Sequence, residues 1–421
     1  MAPGITEPNA TTTLPSTTSK DLTQSRDFAI YRHLVPLLSN PSITYLNASF
    51  QPPSNLLVHG AISAFNNEAL LSPSPKQSWL QTGEDARSLI ARYINASPTS
   101  IAITRDTTEG LNNFAHSLKF KPGDNVVILD SEHPHHAYAW MSLRPAGLEV
   151  RQIPTIPEFE KTGLVVTANA DTFAPYVDER TVAIGLSSVM FHSGQWNDLK
   201  GICEVYRPRG IHVLADLTQQ VGFAAVDVTK LNVSAAAFSL HKGLNCPTGF
   251  AAMYVDPDVI RETDPNPPIV GYGAVQNVRA DLLVPADGIV YHPTARRFDH
   301  LNMNLVAAAA AKAYLRFYLD VMGPENVEEH LYALGGVLRR ECKRVGVRIV
   351  GPGHGREHAP HLYILDLHDG RWMELFKEEG IYVTPYRLGI RVSFGFYNNE
   401  EDVLSLVRVL EKGIERGIPV A

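Results

Sequence analysis

"HVLADLTQQVGFAAVDVTKLNVSAAAFSLHKGLNCPTG", residues 212–249, is the stretch whose reading decides the fold. Its first run is apolar up to Asp216, and Gln219 and Gly222 follow at intervals of three residues. A second run, "AAAFS" (235–239), leads directly into Ser239, His241, Lys242 and Gly243. Both runs are short, apolar and bounded by turn residues, which reads as buried strands. In open α/β sheets ligands sit at the carboxyl ends of the strands. Asp216 closes one strand and Lys242 follows another, so a carboxylate and an amine are expected to meet in one crevice.

That pair specifies a chemistry. A lysine at such a site can form a Schiff base with a carbonyl. An aspartate facing a pyridine nitrogen keeps that nitrogen protonated and makes the ring an electron sink. Together these are the requirements of pyridoxal 5'-phosphate (PLP). Ser239 and His241 flank the lysine as donors for a phosphate, and Gln219 stands within reach of the ring oxygen. An isolated Asp at a strand end is often only a helix cap, and an isolated Lys is usually solvated. The paired pattern D-x-x-Q-x-x-G and S-x-H-K-G is what separates this reading from those.

Outward from this stretch the chain alternates. Strands are expected at "SIAIT" (100–104), "NVVIL" (125–129), "LEVRQIP", "TVAIGLS" and "GFAAMYV", with helical spacing at 84–94, 108–118 and in "PHHAYAWMSL" and "LKGICEVYRPRG". Strands alternating with helices predict an α/β fold with a mostly parallel sheet. From about 300 onward come helices at 302–320 and 325–345, strands near "VRIVG", "HLYILDL" and "IRVSFGF", and a closing helix from Asn399. We therefore expect a flexible tail at 1–25, a segment at 26–55 that joins the small domain, a large PLP-binding domain at 56–295, and a smaller C-terminal α+β domain at 296–421.

Composition bounds the partners. The 421 residues are 44% hydrophobic and 19% charged with a net charge of -7, and no long basic run invites nucleic acid. The longest apolar run, "LVAAAAAKAYL" (305–315), is interrupted by Lys312 and falls short of the ~20 residues of a membrane span. Three scattered cysteines, Cys203, Cys246 and Cys342, suit a reducing compartment, so a cytoplasmic location is expected. The histidine groups "HPHH" (133–136) and "GHGREHAPH" (353–361) lack metal-site spacing, and no metal is expected.

Over roughly residues 40–415 the chain resembles the class V aminotransferase family of PLP fold type I, which includes cysteine desulfurases, isopenicillin N epimerase-like proteins and kynureninase. The signposts are "ITYLNAS" (43–49), "TRDTTEGLNNF" (104–114), "SEHPHHAYAW" (131–140), "DLTQQVG" (216–222), "SLHKG" (239–243) and "IRVSFGFYNNEEDV" (390–403). The resemblance implies a large domain built on a seven-stranded-type sheet. It implies that Lys242 is the Schiff-base lysine, Asp216 the partner of the pyridine nitrogen, and His133 the residue stacked on the cofactor ring. It places Gln219 at the ring oxygen, and Thr107, Thr108, Ser239 and His241 at the phosphate. A helix start at Thr107 suits an anion on physical grounds as well. Arg391 is implied as the clamp on a substrate α-carboxylate, for which a planar two-pronged donor is well shaped.

The departures matter. "EEGIYVTPYRLGIR" (378–391) lacks the nucleophilic cysteine that desulfurases carry before this arginine. Cys246 stands close to Lys242 where the family usually has glycine. In "ARRFDHLNMN" (295–304), Leu301 and Asn302 occupy places that are usually Gly-Thr, and Asn302 is the candidate to reach a neighbouring subunit's phosphate in a homodimer. "VMFHSGQWND" (189–198) follows the strand "TVAIGLS", which makes His192 and Gln195 candidates for substrate contact or proton transfer, a structural role being the alternative. The motif dialect is closer to isopenicillin N epimerase-like proteins and extends to the fungal loline-alkaloid branch. The expected function is action at the α-carbon of an amino-acid substrate in specialised, alkaloid-type metabolism, by decarboxylation with ring-forming C–C bond formation or a related lyase step. Epimerisation and C–S lysis are the alternatives. A binding or scaffold protein on this fold usually loses the lysine or the aspartate, and both are present.

Overall fold

The computed structural model describes residues 28–281, 283–353 and 357–420. The tail expected at 1–25 and part of the second histidine group, including His354, lie outside the described residues. The strands in chain order begin with β1 (Thr44–Tyr45), β2 (Ile101–Thr104), β3 (Asn125–Leu129), β4 (Glu149–Ile153) and β5 (Thr181–Ser187). They continue with β6 (His212–Asp216), β7 (Ala235–Ser239) and β8 (Ala251–Val255). β2 to β8 form one seven-stranded sheet in the order β2-β8-β7-β6-β5-β3-β4. Only β8 runs against its neighbours; the remaining pairings are parallel. This is the large, mostly parallel sheet of the fold expected from the sequence.

The strands are mainly apolar and buried because both faces are covered, except for the edge strand β4, whose Glu149 and Gln152 are exposed. Along β3, β5, β6 and β7, residues Val127, Leu129, Ile184, Val213, Ala215 and Phe238 join one core. Their alternates Val126, Ile128, Ala183, Leu214 and Ala237 join the other. Among the helices, α1 (Leu56–Leu71) and α2 (Lys76–Tyr93) precede β2. α3 (Thr107–Ser117) follows β2, α4 (Pro134–Met141) follows β3 and α5 (Thr155–Thr162) follows β4. The helix α6 (Leu305–Phe317) packs against α1 and α2. Two longer helices, α7 (Pro324–Val345) and α8 (Glu400–Glu415), pack on each other. α8 is opened by a capping box between Asn399 and Asp402.

A second, antiparallel sheet is built from β9 (Ile349–Val350), β10 (Leu362–Leu365), β12 (Thr384–Tyr386) and β13 (Gly389–Ser393), in the order β12-β13-β10-β9. A further strand, β11 (Ile381–Tyr382), pairs in parallel with β1. That pairing brings residues 44–45 onto the C-terminal part of the chain.

The two glycines that end the cofactor-type motifs explain each other. Gly222 has φ +82°, and a Cβ there would lie 2.2 Å from the carbonyl carbon of Gly243. A Cβ on Gly243 would lie 2.4 Å from the carbonyl oxygen of Val221. The turn after β6 and the turn after β7 therefore touch backbone to backbone, and neither position has room for a side chain. Gly222→Ala combines a left-handed φ with a backbone clash. We expect a loss of at least about 1 kcal/mol from the φ alone, read as a lower midpoint in urea unfolding, together with weakened PLP retention. An unchanged midpoint would show that the two turns can separate freely.

Candidate active site

The carboxyl ends of β2, β3, β5, β6 and β7 surround a cavity of about 360 Å³. Parallel register places the strand ends side by side: Ser187 of β5 pairs with Asp216 of β6, and Asp216 pairs with Ala237 of β7. Thr107, Thr108, His133 and Asp216 line the cavity, and so do Gln219, Ser239, His241, Lys242 and Arg391. Tertiary structure thus brings nine of the twelve residues singled out in the sequence to one place.

At one end of the cavity α3 begins. Asp106 caps it by accepting from the Glu109 N–H at 2.8 Å. The Thr107 N–H donates to Ser239 Oγ at 3.0 Å, and the Thr107 hydroxyl lies 2.7 Å from the hydroxyls of both Ser239 and Thr218. Three strand ends are therefore joined by hydroxyls at the amino end of an 11-residue helix, where backbone N–H groups and the dipole favour an anion. His241 lines this cavity with a pKa lowered to about 4, chiefly by burial and further by Lys242. It is neutral near pH 7, so it would meet an anion by hydrogen bonding and not by charge.

Towards the centre, Asp216 Oδ1 accepts from the Thr218 N–H at 2.8 Å, and Oδ2 makes no hydrogen bond among the described residues. The Gln219 amide donates to the Ser49 carbonyl at 3.2 Å while its Oε1 is buried without a partner. The amine of Lys242 makes no hydrogen bond among the described residues. Burial lowers its pKa to about 8; Arg391 lowers it further and Asp216 opposes. His133 caps α4 by accepting from the His135 N–H at 3.3 Å, and its ring stacks on that of His135 at 4.8 Å. Burial holds its pKa near 4, against the pull of Asp216, so the ring is neutral near pH 7.

Arg391 enters from β13 of the second sheet. Its Nη1 donates to the Phe191 carbonyl at 3.0 Å, and its guanidinium lies 4.4 Å from the Tyr386 ring centroid. Nε and Nη2 are buried and have no hydrogen-bond partner among the described residues. Burial lowers its pKa to about 10, against the influence of Tyr386; it remains a cation at neutral pH. A buried cation with two unsatisfied N–H groups is costly unless a ligand satisfies them.

The unused polar atoms are the ones PLP would employ. Lys242 has a free amine for the aldehyde, Asp216 a free carboxylate oxygen for the ring nitrogen, and Gln219 an unpartnered amide oxygen. The start of α3 supplies a phosphate seat. The residues fit the cofactor.

The family model for class V aminotransferases matches residues 72–406. The chain belongs to that family. It is a PLP-dependent, aminotransferase-like enzyme of the class V family. An uncharacterized aminotransferase of Schizosaccharomyces pombe is 49% identical over 391 residues, covering 92% of this chain and 96% of that protein. A cysteine desulfurase of Cronobacter sakazakii is 28% identical over 348 residues, covering 78% and 81%. Among solved structures, the apo cysteine desulfurase of Thermococcus onnurineus NA1 superposes with a TM-score of 0.78 at 22% identity, covering 91% of this chain and 97% of that one. The cystine C-S lyase C-DES, in complex with its product cysteine persulfide, gives a TM-score of 0.77 at 22% identity, covering 89% and 98%. The two structural likenesses speak to the fold.

Three predicted site residues stand elsewhere. His192 and Gln195 line a neighbouring cavity, and Asn302 a third one with Gly249 and His300. His192 Nε2 lies 3.2 Å from the Ser131 carbonyl oxygen. The Gln195 amide donates to the Val166 carbonyl at 2.7 Å and to Asn197 at 3.1 Å, and its Oε1 accepts from Ser193. Cys246 is buried outside the cavity, its Sγ donating to the Leu244 carbonyl at 3.2 Å, and burial pushes its thiol far up. Among the described residues no group of three or more metal-ligating side chains is assembled. No helix among them is long and apolar enough to cross a membrane.

Sequence reasoning missed the support of the site. Glu132 is buried and accepts from the Ser187 N–H at 2.7 Å and the Ser187 hydroxyl at 2.6 Å, which ties the ends of β3 and β5 together. Burial pushes its carboxyl up, but His136 and these Ser187 bonds outweigh it and hold the group below the ordinary range. Phe191 and Tyr386, which hold Arg391, were also missed. Their signal was faint: Ser187 is a strand-end residue, and Tyr386 precedes Arg391 on a hairpin. Because only neutral Lys242 attacks an aldehyde, capture of PLP by stripped protein should accelerate as pH rises and level off above about 8. Below that the rate should fall about tenfold per pH unit. Stopped-flow absorbance measures it, and a midpoint near the ordinary lysine value of 10.5 would contradict the burial effect.

Proposed function

We propose that this class V enzyme acts at the α-carbon of an α-amino acid as a lyase, without carrying sulfur on its own cysteine. The observation that carries the reading is the pair of unsatisfied, buried nitrogens on Arg391, in one cavity with Lys242 and Asp216. PLP, when bound, supplies an electron sink for the pair of electrons released at the α-carbon. Arg391 grips the substrate carboxylate with its two free N–H groups and so orients the bond to be broken. Lys242 is suited to move a proton at the substrate α-carbon, because a pKa of about 8 lies near working pH. Asp216 would hold a proton on the ring nitrogen, and neutral His133 would offer a flat ring to the cofactor. The hairpin 384–391 carries no cysteine and Cys246 is walled off, which separates this site from persulfide formation on the enzyme.

Within the lyase class, the resemblance to the loline-alkaloid branch favours decarboxylation with ring-forming C–C bond formation in specialised metabolism. The structural likeness to a cystine C-S lyase favours C–S cleavage as the second reading. The three buried thiols suit a cytoplasmic setting. Arg391→Lys retains charge but loses the two-pronged geometry. We expect its KM for the amino acid to rise about tenfold or more, with kcat also lowered. Equal turnover of amines lacking a carboxylate would assign Arg391 another task. Cys246→Ser should keep most activity, and a trapped persulfide at Cys246 would return sulfur transfer to first place.

We also propose a homodimer. Leu283 and Val284 are 63% and 87% exposed in the segment that precedes "RRFDHLN", where Ile289 and Val290 are also exposed, and together they form an apolar surface that a partner subunit would cover. Asp299 of that segment is bound by Arg87 at 2.8 Å, so the following residues leave a fixed anchor. In this reading Asn302 serves the partner's phosphate. Light scattering should give twice the chain mass, and a fully active monomer would refute it.

A further inference from the structure

Next to the cofactor cavity lies a second one of about 260 Å³, between α5 and the turn that joins β12 to β13. Phe191 and Tyr386 line both cavities. These are the two residues that hold Arg391, one through its carbonyl and one through its ring. A ligand whose carboxylate is held by Arg391 therefore stands at the boundary between the cavities.

The second cavity offers its occupant almost only apolar surface. Ile156, Phe159, Val165, Val166, Phe191 and Leu388 line it. Among the described residues, its polar side chains other than Tyr386 already have partners. Asp130 Oδ1 accepts from the Thr155 N–H at 2.9 Å and the Thr155 hydroxyl at 2.6 Å. The Ser131 hydroxyl meets that of Thr155 at 2.7 Å, and Glu132 is engaged by Ser187. The Gln195 amide is used on both sides, as described above, and burial lowers the pKa of His192, which leaves the ring neutral near pH 7. Arg387 of the turn pairs with Glu160 of α5, which links the two walls of the cavity and leaves Arg387 engaged with a carboxylate of its own chain.

We propose that this second cavity receives the substrate side chain, and that the substrate is an α-amino acid with an extended apolar or aromatic side chain, larger than that of cysteine. The inference rests on Arg391 holding the substrate carboxylate. The turn that supplies Leu388 belongs to the hairpin where the resemblance to desulfurases would have placed a nucleophilic cysteine. A leucine there is a packing surface, and it has no chemistry to offer a thiol. Phe159 and Leu388 are the residues that set side-chain preference.

The test titrates PLP-loaded enzyme with L-alanine, L-2-aminobutyrate, L-norvaline, L-norleucine and L-phenylalanine, read by the visible absorption of the bound cofactor. In the wild type, Kd should fall roughly fourfold for each methylene added along the aliphatic series, with phenylalanine among the tight ligands. Phe159→Asp or Leu388→Asp should flatten that dependence; if either fails to fold, Phe159→Ala should reduce it. Equal affinity for alanine and norleucine in the wild type would overturn the side-chain pocket while leaving the α-amino-acid reading intact. A slope that survives both aspartate variants would place the side chain elsewhere and overturn it too. If no amino acid perturbs the absorption, the reading of Arg391 fails, and this inference fails with it.

Discussion

The backbone contact between Gly222 and Gly243 is the constraint on which the site depends. It joins the turn that carries Asp216 and Gln219 to the turn that carries Lys242. With no Cβ on either glycine, the two turns approach to a distance that side chains would forbid. The adjacent parallel strands β6 and β7 set the spacing of the strand ends, and the glycine contact sets the height of the loops above them. A carboxylate and a lysine amine are thereby held in one cavity.

The electrostatics follow from that placement. Lys242, which follows β7 of the large sheet, and the buried Arg391 of the smaller sheet are two basic groups in one cavity; Arg391 lowers the pKa of the lysine and the Asp216 carboxylate opposes it. Burial disfavours the charged forms. It lowers Lys242 into the range where an amine is a usable base and nucleophile, and it leaves Arg391 charged because its ordinary value is so high. One environment thus yields two different tools from two basic side chains. The histidines around them, His133 and His241, are driven to the neutral form by burial and add no charge to the cavity.

The likeness to desulfurases covers most of the chain, but the hairpin from β12 to β13 lacks the cysteine that the resemblance implies before Arg391. It retains the arginine, and it places Tyr386 under the guanidinium and Leu388 in the neighbouring apolar cavity. Asp216 and Lys242 stand at strand ends of the large sheet, whereas Tyr386 and Arg391 come from the smaller one. Membership of the family leaves the substrate open, because function lives in the side chains that a fold carries.

The sequence by itself determined the strands of the large sheet, because apolar runs buried on both faces carry their own signature and end in turn residues. It also determined which residues end those strands: Asp216, Ser239 and the motif around Lys242 are legible in one line of text. It did not reveal α1, whose apolar residues show little one-sided periodicity, nor the short β11 and β12, which are two and three residues long. Spacing also grouped His192 and Gln195 with the crevice, because they follow a strand that ends there. Only the tertiary structure turns that loop aside into a second cavity, where the Val166 carbonyl and the Asn197 side chain already take up the Gln195 amide. The support of the site was equally hidden. Glu132 meets Ser187, Phe191 meets Arg391, and Gly222 meets Gly243 across sequence separations that no local pattern records, since each contact is made by the folding of one strand end onto another.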